Sequence, residues 1–169
     1  MIELRRGDGA DAESLGRLRA ASMIEMGYLR AEGRDRFAVR AGADIRELFD
    51  ANRLIAWVLC DAEHVAGSAC ATFFERLPYP DGALHAEVAG VYVEPAYRGH
   101  GYASRLVEAV LSEVRAAGVR STFLRPSPRS KALYARLGFT EDDHSLMRLS
   151  GGGVSDALAG ATVRRVSLD

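Results

Sequence analysis

The spacing of apolar residues changes period along this chain, and each change predicts an element. Ile2 and Leu4 alternate with polar neighbours, so Ile2 to Arg5 reads as a short strand. Asp8 and Asp11 suit a helix start. Leu15, Leu18 and Ser22 then line one face of a helix running to about Met26, where Gly27 ends it. Residues 28–42 are charged and lack a clear period, which predicts an irregular segment before a second helix over Ala43 to Ala51. Leu54 to Cys60 is an apolar run with polar flanks, as in a buried strand, and Val65 to Phe74 is its hairpin partner across the turn 61–64. Pro78, Pro80 and Asp81-Gly82 predict a loop. A further strand, from about His85 to Val93, stops at Pro95.

Tyr102 to Ala117 carries the clearest helical pattern, with Ala103, Leu106, Val107, Val110, Leu111 and Val114 at three- and four-residue steps before Gly118. Thr122 to Leu124 reads as a strand, Arg129 to Leu137 as a short helix ending at Gly138, and Ser145 to Leu149 as a closing strand. This order of strands and helices predicts a mixed sheet with helices on both faces, an α/β or α+β fold. The pattern then fades. Gly151-Gly152-Gly153 reads as a flexible link and Val154 to Asp169 as a weakly apolar tail, so the expected division is a domain over 1–149 and a loosely docked segment over 150–169.

Composition narrows the function classes. Hydrophobic residues make up 48% of the 169 and charged residues 27%, which is ordinary for a globular domain. The 22 basic and 23 acidic residues nearly cancel, whereas a nucleic-acid-binding domain is distinctly basic. All the basic residues but Lys131 are Arg, so being Arg marks no residue as functional. No apolar run reaches the length of a membrane span, the longest clean one being Leu54 to Cys60. Met1 to Arg6 lacks the basic-then-apolar order of an export signal, which makes the cytoplasm the expected compartment. Cys60 and Cys70 lie in apolar segments and read as reduced, buried thiols. His64, His85, His100 and His144 have no metal-ligand spacing, so no metal is expected.

The stretch from Glu87 to Ser104 carries chemistry. A strand ends, Pro95 breaks it, and the glycine-rich turn Arg98-Gly-His-Gly-Tyr-Ala103 delivers the chain into the long helix. Such a junction leaves the first helical N–H groups unpaired beside the positive end of the dipole, and glycines admit a ligand close to the backbone. The predicted ligand group is a phosphate or pyrophosphate. The six residues alone are a weak signal, matching by chance roughly once in every two chains of this composition. Their place at a strand-to-helix junction is what makes them informative. A Walker A loop is excluded because its Lys is missing, and a dinucleotide fingerprint because Ser104 stands at its third Gly.

These residues, Val91-Tyr-Val-Glu-Pro-Ala-Tyr-Arg-Gly-His-Gly-Tyr-Ala103, together with Ala132-Leu-Tyr-Ala-Arg-Leu-Gly-Phe139, resemble the GNAT superfamily of N-acetyltransferases. The helix and strand between the two segments fit it too, and the order of elements follows it to about residue 149. The resemblance implies a central, mostly antiparallel sheet flanked by helices, with acetyl-CoA as cosubstrate. It implies that Val91, Tyr92 and Val93 lie on the strand that pairs with the pantetheine arm. It also implies that the N–H groups of Arg98, Gly99, His100, Gly101, Tyr102, Ala103 and Ser104 hold the pyrophosphate. Ser127 stands where many relatives carry an Asn that contacts the cofactor arm. Tyr134 matches the general acid that protonates the leaving thiolate, and a backbone N–H near Val91 would meet the oxyanion.

Glu87 is the candidate base for the amine, since plain strand alternation places it on one face with Val91 and Val93. Glu94 reads as structural or solvent-facing. Trp57, Phe73 and Phe74 read as core or cleft lining. The acceptor is expected near residues 23–42 and 75–84, where Glu25, Glu32, Asp35, Glu75 and Asp81 are offset by Arg30, Arg34, Arg36, Arg40 and Arg76. No particular amine follows, small molecule or protein. The expected activity is acetyl transfer from acetyl-CoA to a primary amine in a ternary complex, with neither nucleic acid nor membrane as partner and with a homodimer as the expected assembly. The rival readings are an acyl-CoA sensor without catalysis and transfer of a different acyl group.

Overall fold

The structure is a computed structural model, described for residues 1–80 and 82–141. The chain divides into two compact units, Met1–Gly138 and Phe139–Asp169. His144, the strand expected over Ser145 to Leu149, the glycine link, the tail and the expected boundary at 149/150 lie outside the described residues.

The first unit is built on a five-stranded sheet in sequence order, β1 (Ile2–Arg6), β2 (Leu54–Asp61), β3 (His64–Tyr79), β4 (Gly82–Val93) and β5 (Ser121–Leu124). Neighbours are antiparallel except β4 and β5, which are parallel and joined by a helical crossover. The helices are α1 (Ala12–Glu25), α2 (Arg34–Asp50), α3 (Tyr102–Ala116) and α4 (Lys131–Arg136). Both faces of the sheet are covered. Ala56, Val58 and Cys60 of β2 pack with Leu15 and Leu18 of α1. Trp57, one residue out of phase and so on the opposite face, donates its indole N–H to Glu113 of α3 at 2.7 Å. Arg6, across the ladder from Trp57, holds the same carboxylate at 2.8 Å.

The start of α1 is fixed as its aspartates predict. The Asp8 side chain accepts from the Ala10 N–H, and Asp11 accepts from the Asp8 N–H at 3.0 Å. Asp11 is 6% exposed and receives both arms of Arg5, at 2.7 and 2.8 Å, which hold its carboxyl below the ordinary range against the opposing effect of burial.

Two expectations need correction. The segment read as irregular over 28–42 is helical from Arg34, so the second helix begins nine residues earlier than its pattern suggested. Its charges obscured the period because they lie on the outer face, with Arg40 and Asp44 one turn apart. Ala41 and Gly42 are the buried positions, pressed against α1. The loop expected around Pro78 is the end of β3, which pairs with β4 as far as Tyr79 and Gly82. The ladder is irregular between Glu75 and Tyr79, where a proline has no N–H to give.

The α1–α2 crossing depends on glycine. A Cβ on Gly16 would stand 2.4 Å from the Ala38 carbonyl oxygen and 2.6 Å from the Gly42 nitrogen, both backbone atoms that cannot swing aside. Gly16→Ala is therefore expected to cost about 3 kcal/mol, the upper end for overpacking, read as a lowered midpoint in urea unfolding. A change near zero would mean that the helices separate without loss.

Candidate active site

One extra residue in β4 shapes the site. Ser68 pairs with Tyr92 but Cys70 pairs with Ala89, so Gly90 and Val91 stand opposite the single residue Ala69. Gly90 takes φ +63, and its carbonyl accepts from the buried Ser68 hydroxyl at 2.8 Å. A bulge of this kind reverses which residues share a face. Thr72 pairs with Glu87 and Ser68 with Tyr92, so Glu87 shares the α1 face with Tyr92, while Val93, paired with Gly67, lies on the other. Plain alternation had grouped Glu87 with Val91 and Val93, and the bulge corrects that grouping.

The parallel ladder ends at Val88 and Leu124. From Ala89 to Val93 the outer edge of β4 therefore has no β5 partner, and the two strands part. The Glu94 N–H bonds back to Ala66 of β3 at 2.9 Å. Alternation then turns the N–H groups of Val93 and Val91 towards the open edge.

Beyond that edge, the turn predicted from the sequence has the geometry of an anion cradle. Gly99 and Gly101 adopt φ +85 and +75, and Gly101 is the N-cap of α3, with no side chain capping the helix. An added Cβ at either glycine would meet nothing within 4 Å, so the turn faces open space. The exposed His100 ring stacks on Tyr102 at 5.7 Å, and Ala103 and Ser104 complete the first turn of α3. The Arg98 N–H is already bonded to the Pro95 carbonyl at 3.3 Å. Its guanidinium points away from the cradle, with Nε donating to the Val93 carbonyl at 2.8 Å and both Nη groups to Glu25 at 2.7 and 2.9 Å. In this arrangement the Arg98 guanidinium and N–H are both engaged within the protein, whereas the sequence resemblance placed Arg98 at the pyrophosphate.

The approach to this turn is pinned at several points. Burial alone would raise the Glu94 carboxyl, but bonds from His64 and Arg17 outweigh it and hold the group low. The Tyr97 hydroxyl donates to Asp61 at 3.2 Å. Tyr92 lies under the Arg98 guanidinium at 5.3 Å, and burial, followed by the Glu25 carboxylate, pushes its hydroxyl pKa up.

Tyr134 sits on α4 and is 8% exposed; burial raises its hydroxyl pKa, so it is a neutral donor throughout the neutral range. The entry to α4 is shaped by two serines. The Ser127 N–H donates to the Ser130 hydroxyl at 2.9 Å, the two hydroxyls lie 3.0 Å apart, and the Ser130 carbonyl accepts from the Tyr134 N–H at 3.2 Å. Glu87 is half-buried on its face of β4, with the Arg125 Nε 3.7 Å from its carboxylate. Near it, His85 stacks on Phe74 and lies tilted against Phe123, and Arg76 lies over both phenyl rings. Neither thiol is activated, since burial pushes Cys60 up and Cys70 to about 12.

A profile of the Acetyltransferase (GNAT) family matches residues 24–139 of the chain. The chain belongs to this family. Its sheet also matches solved GNAT structures. A predicted acetyltransferase with acetyl-CoA from Clostridium acetobutylicum superposes with a TM-score of 0.78 at 19% identity, over 88% of this chain and 96% of that one. A GCN5-related N-acetyltransferase from Ralstonia eutropha does so at 0.76 and 19%, over 89% and 100%. In sequence, serotonin N-acetyltransferase 2, chloroplastic, of Oryza sativa subsp. japonica is 32% identical over 92 residues, which are 54% of this chain and 44% of that one. The match thus spans less than half of that relative's length.

Within this GNAT fold the structure brings together Val91, Tyr92 and Val93 on the β4 edge and Gly99 to Ser104 on the adjoining turn. Tyr134 and Ser127 belong to the separate α4 entry. Two residues that the sequence reading passed over, Ser68 and Ser130, set this geometry together with Glu25, which that reading had placed among the acids near the acceptor. Ser68 left a signal, because a hydroxyl inside an apolar strand needs an acceptor, and Gly90 left another, because a lone glycine in a strand marks a bulge. Gly90→Val forces a β-branched residue to positive φ, at an expected cost of about 2 kcal/mol. Denaturant unfolding measures it, and an unchanged midpoint would show the bulge tolerates any residue.

Proposed function

We propose that this GNAT protein transfers an acetyl group from acetyl-CoA to a primary amine by direct attack in a ternary complex. The observation that carries the reading is the uncapped start of α3, with Gly99 and Gly101 left-handed, beside a β4 edge from which β5 has parted. The N–H groups of Gly99, His100, Gly101, Tyr102, Ala103 and Ser104 hold the pyrophosphate, favoured by the helix dipole. The outward backbone of Val93, with Tyr92 beside it, pairs with the pantetheine amides as an added strand would, which leaves the outward N–H of Val91 for the thioester carbonyl. Acetyl-CoA supplies an activated thioester. Fold neighbours with bound acetyl-CoA or CoA support this choice of cosubstrate.

Glu87 accepts a proton from the bound ammonium, directly or through water, and so leaves the neutral amine that attacks the thioester; its place on the α1 face sets the amine on that side of the sheet. The Val91 N–H meets the developing oxyanion. Tyr134 donates to the departing thiolate. A phenol raised above 10 gives up its proton to a thiolate near 8.5 only uphill, so its part is a hydrogen bond at close range rather than bulk acidity. With both thiols protonated at neutral pH, no cysteine serves as a covalent carrier. Ser127, tied to Ser130, acts on α4 rather than on the cofactor arm. The serotonin N-acetyltransferase likeness supports an amine acceptor without naming one, and the near-zero net charge supports a partner that is neither nucleic acid nor membrane.

Calorimetric titration with acetyl-CoA is expected to show one-to-one binding, and folded protein that binds none overturns the reading. With an amine found by screening for thiol release, Tyr134→Phe keeps binding and loses about a hundredfold in turnover. Glu87→Gln is expected to lower turnover about tenfold or more and to change the pH–rate profile. Unchanged turnover and profile would remove Glu87 from the role of base.

A further inference from the structure

The glycine turn contains little that could hold it in place. Gly99 and Gly101 have no side chains, open space surrounds both, and His100 is exposed. A cradle made of backbone N–H groups is useful only if those groups already converge, so its orientation must come from the residues at its edge. Arg98, in extended backbone conformation immediately before Gly99, is that edge. Its guanidinium is held from three directions: the Val93 carbonyl at the end of β4, the Tyr92 ring beneath, and the two carboxylate oxygens of Glu25. The bidentate pair matters most for direction, because two parallel N–H···O bonds fix the plane of the guanidinium as well as its position. Glu25 is the last residue of α1, where a carboxylate faces the negative end of the helix dipole. Helix stability therefore gives no reason for an acid there, and Arg98 does: it draws the Glu25 carboxyl below its ordinary range.

We infer that Glu25 is a positioning residue for the cofactor: it braces Arg98 against α1 and so sets the angle at which the glycine turn meets the pyrophosphate. This rests on the cofactor reading above and assigns Arg98 a structural part within it. The inference differs in sign from the alternative in which Arg98 is a phosphate ligand that Glu25 merely occupies. If Glu25 competes with phosphate for the guanidinium, its removal frees Arg98 and tightens binding. If Glu25 is a brace, its removal loosens the turn and weakens binding.

The test is calorimetric titration of the full chain with CoA. Glu25→Gln is expected to raise Kd roughly fivefold, the most that an exposed ion pair supports, while the melting temperature stays near that of the wild type. Arg98→Lys, which keeps the charge and loses the fork, is expected to do the same, and Glu25→Asp to restore part of the loss. The Glu25→Gln, Arg98→Lys double variant is expected to bind no more weakly than the weaker single variant. An unchanged or lowered Kd in Glu25→Gln overturns the inference, as does full additivity in the double variant. Wild-type protein that binds no CoA overturns the cofactor reading itself.

Discussion

The extra residue in β4 is the constraint on which the site depends. With it, Glu87 and Tyr92 come to one face although they lie an odd five positions apart, and the strand turns its last N–H groups to an edge that β5 has left. A bulge holds only if its unpaired groups find partners and its backbone tolerates positive φ. Ser68 supplies the partner and Gly90 the tolerance. Cys70 fills the space below, 3.4 Å from where a Gly90 Cβ would stand. The open edge of β4 therefore originates in three small residues inside the sheet, none of them among the candidate catalytic groups.

The same division between support and chemistry recurs in the turn before α3. Its anchors, Glu94 with Arg17 and His64, Tyr97 with Asp61, and Arg98 with Glu25, are at least partly exposed, and such contacts add little to the stability of a fold. Their significance is geometric. They tie one short segment to α1, to the β2–β3 turn and to the end of β4, so that backbone N–H groups without side-chain support still point in a common direction. Stability comes instead from the apolar layers on the two sheet faces and from the close crossing of α1 and α2, which admits no side chain at Gly16.

Much of this was legible in the residues. The α3 helix, the apolar hairpin of β2 and β3 and the Asp8–Asp11 helix start follow from local pattern and capping chemistry, because period and caps act over a single turn of chain. The glycine turn was legible for the same reason, since positive φ and a helix N-terminus are local demands. The early part of α2 was hidden, because charges on its exposed face outnumber the small residues, Ala41 and Gly42, that bury it. The length of β3 was hidden too, because Pro78 and Pro80 read as loop wherever a partner strand is not in view.

By itself the sequence determined the order of elements among the described residues, the family and the segments that form the candidate site. Only the tertiary structure decided which side chains act together. Face and register follow from the bulge, a two-strand property that no period in one strand reveals. The Arg98 side chain is drawn to Glu25, 73 residues away, by an ion pair that forms only once α1 lies across the end of β4. Local periodicity records how a segment folds against its own backbone. Charge partners and strand faces depend on what the rest of the chain brings to it.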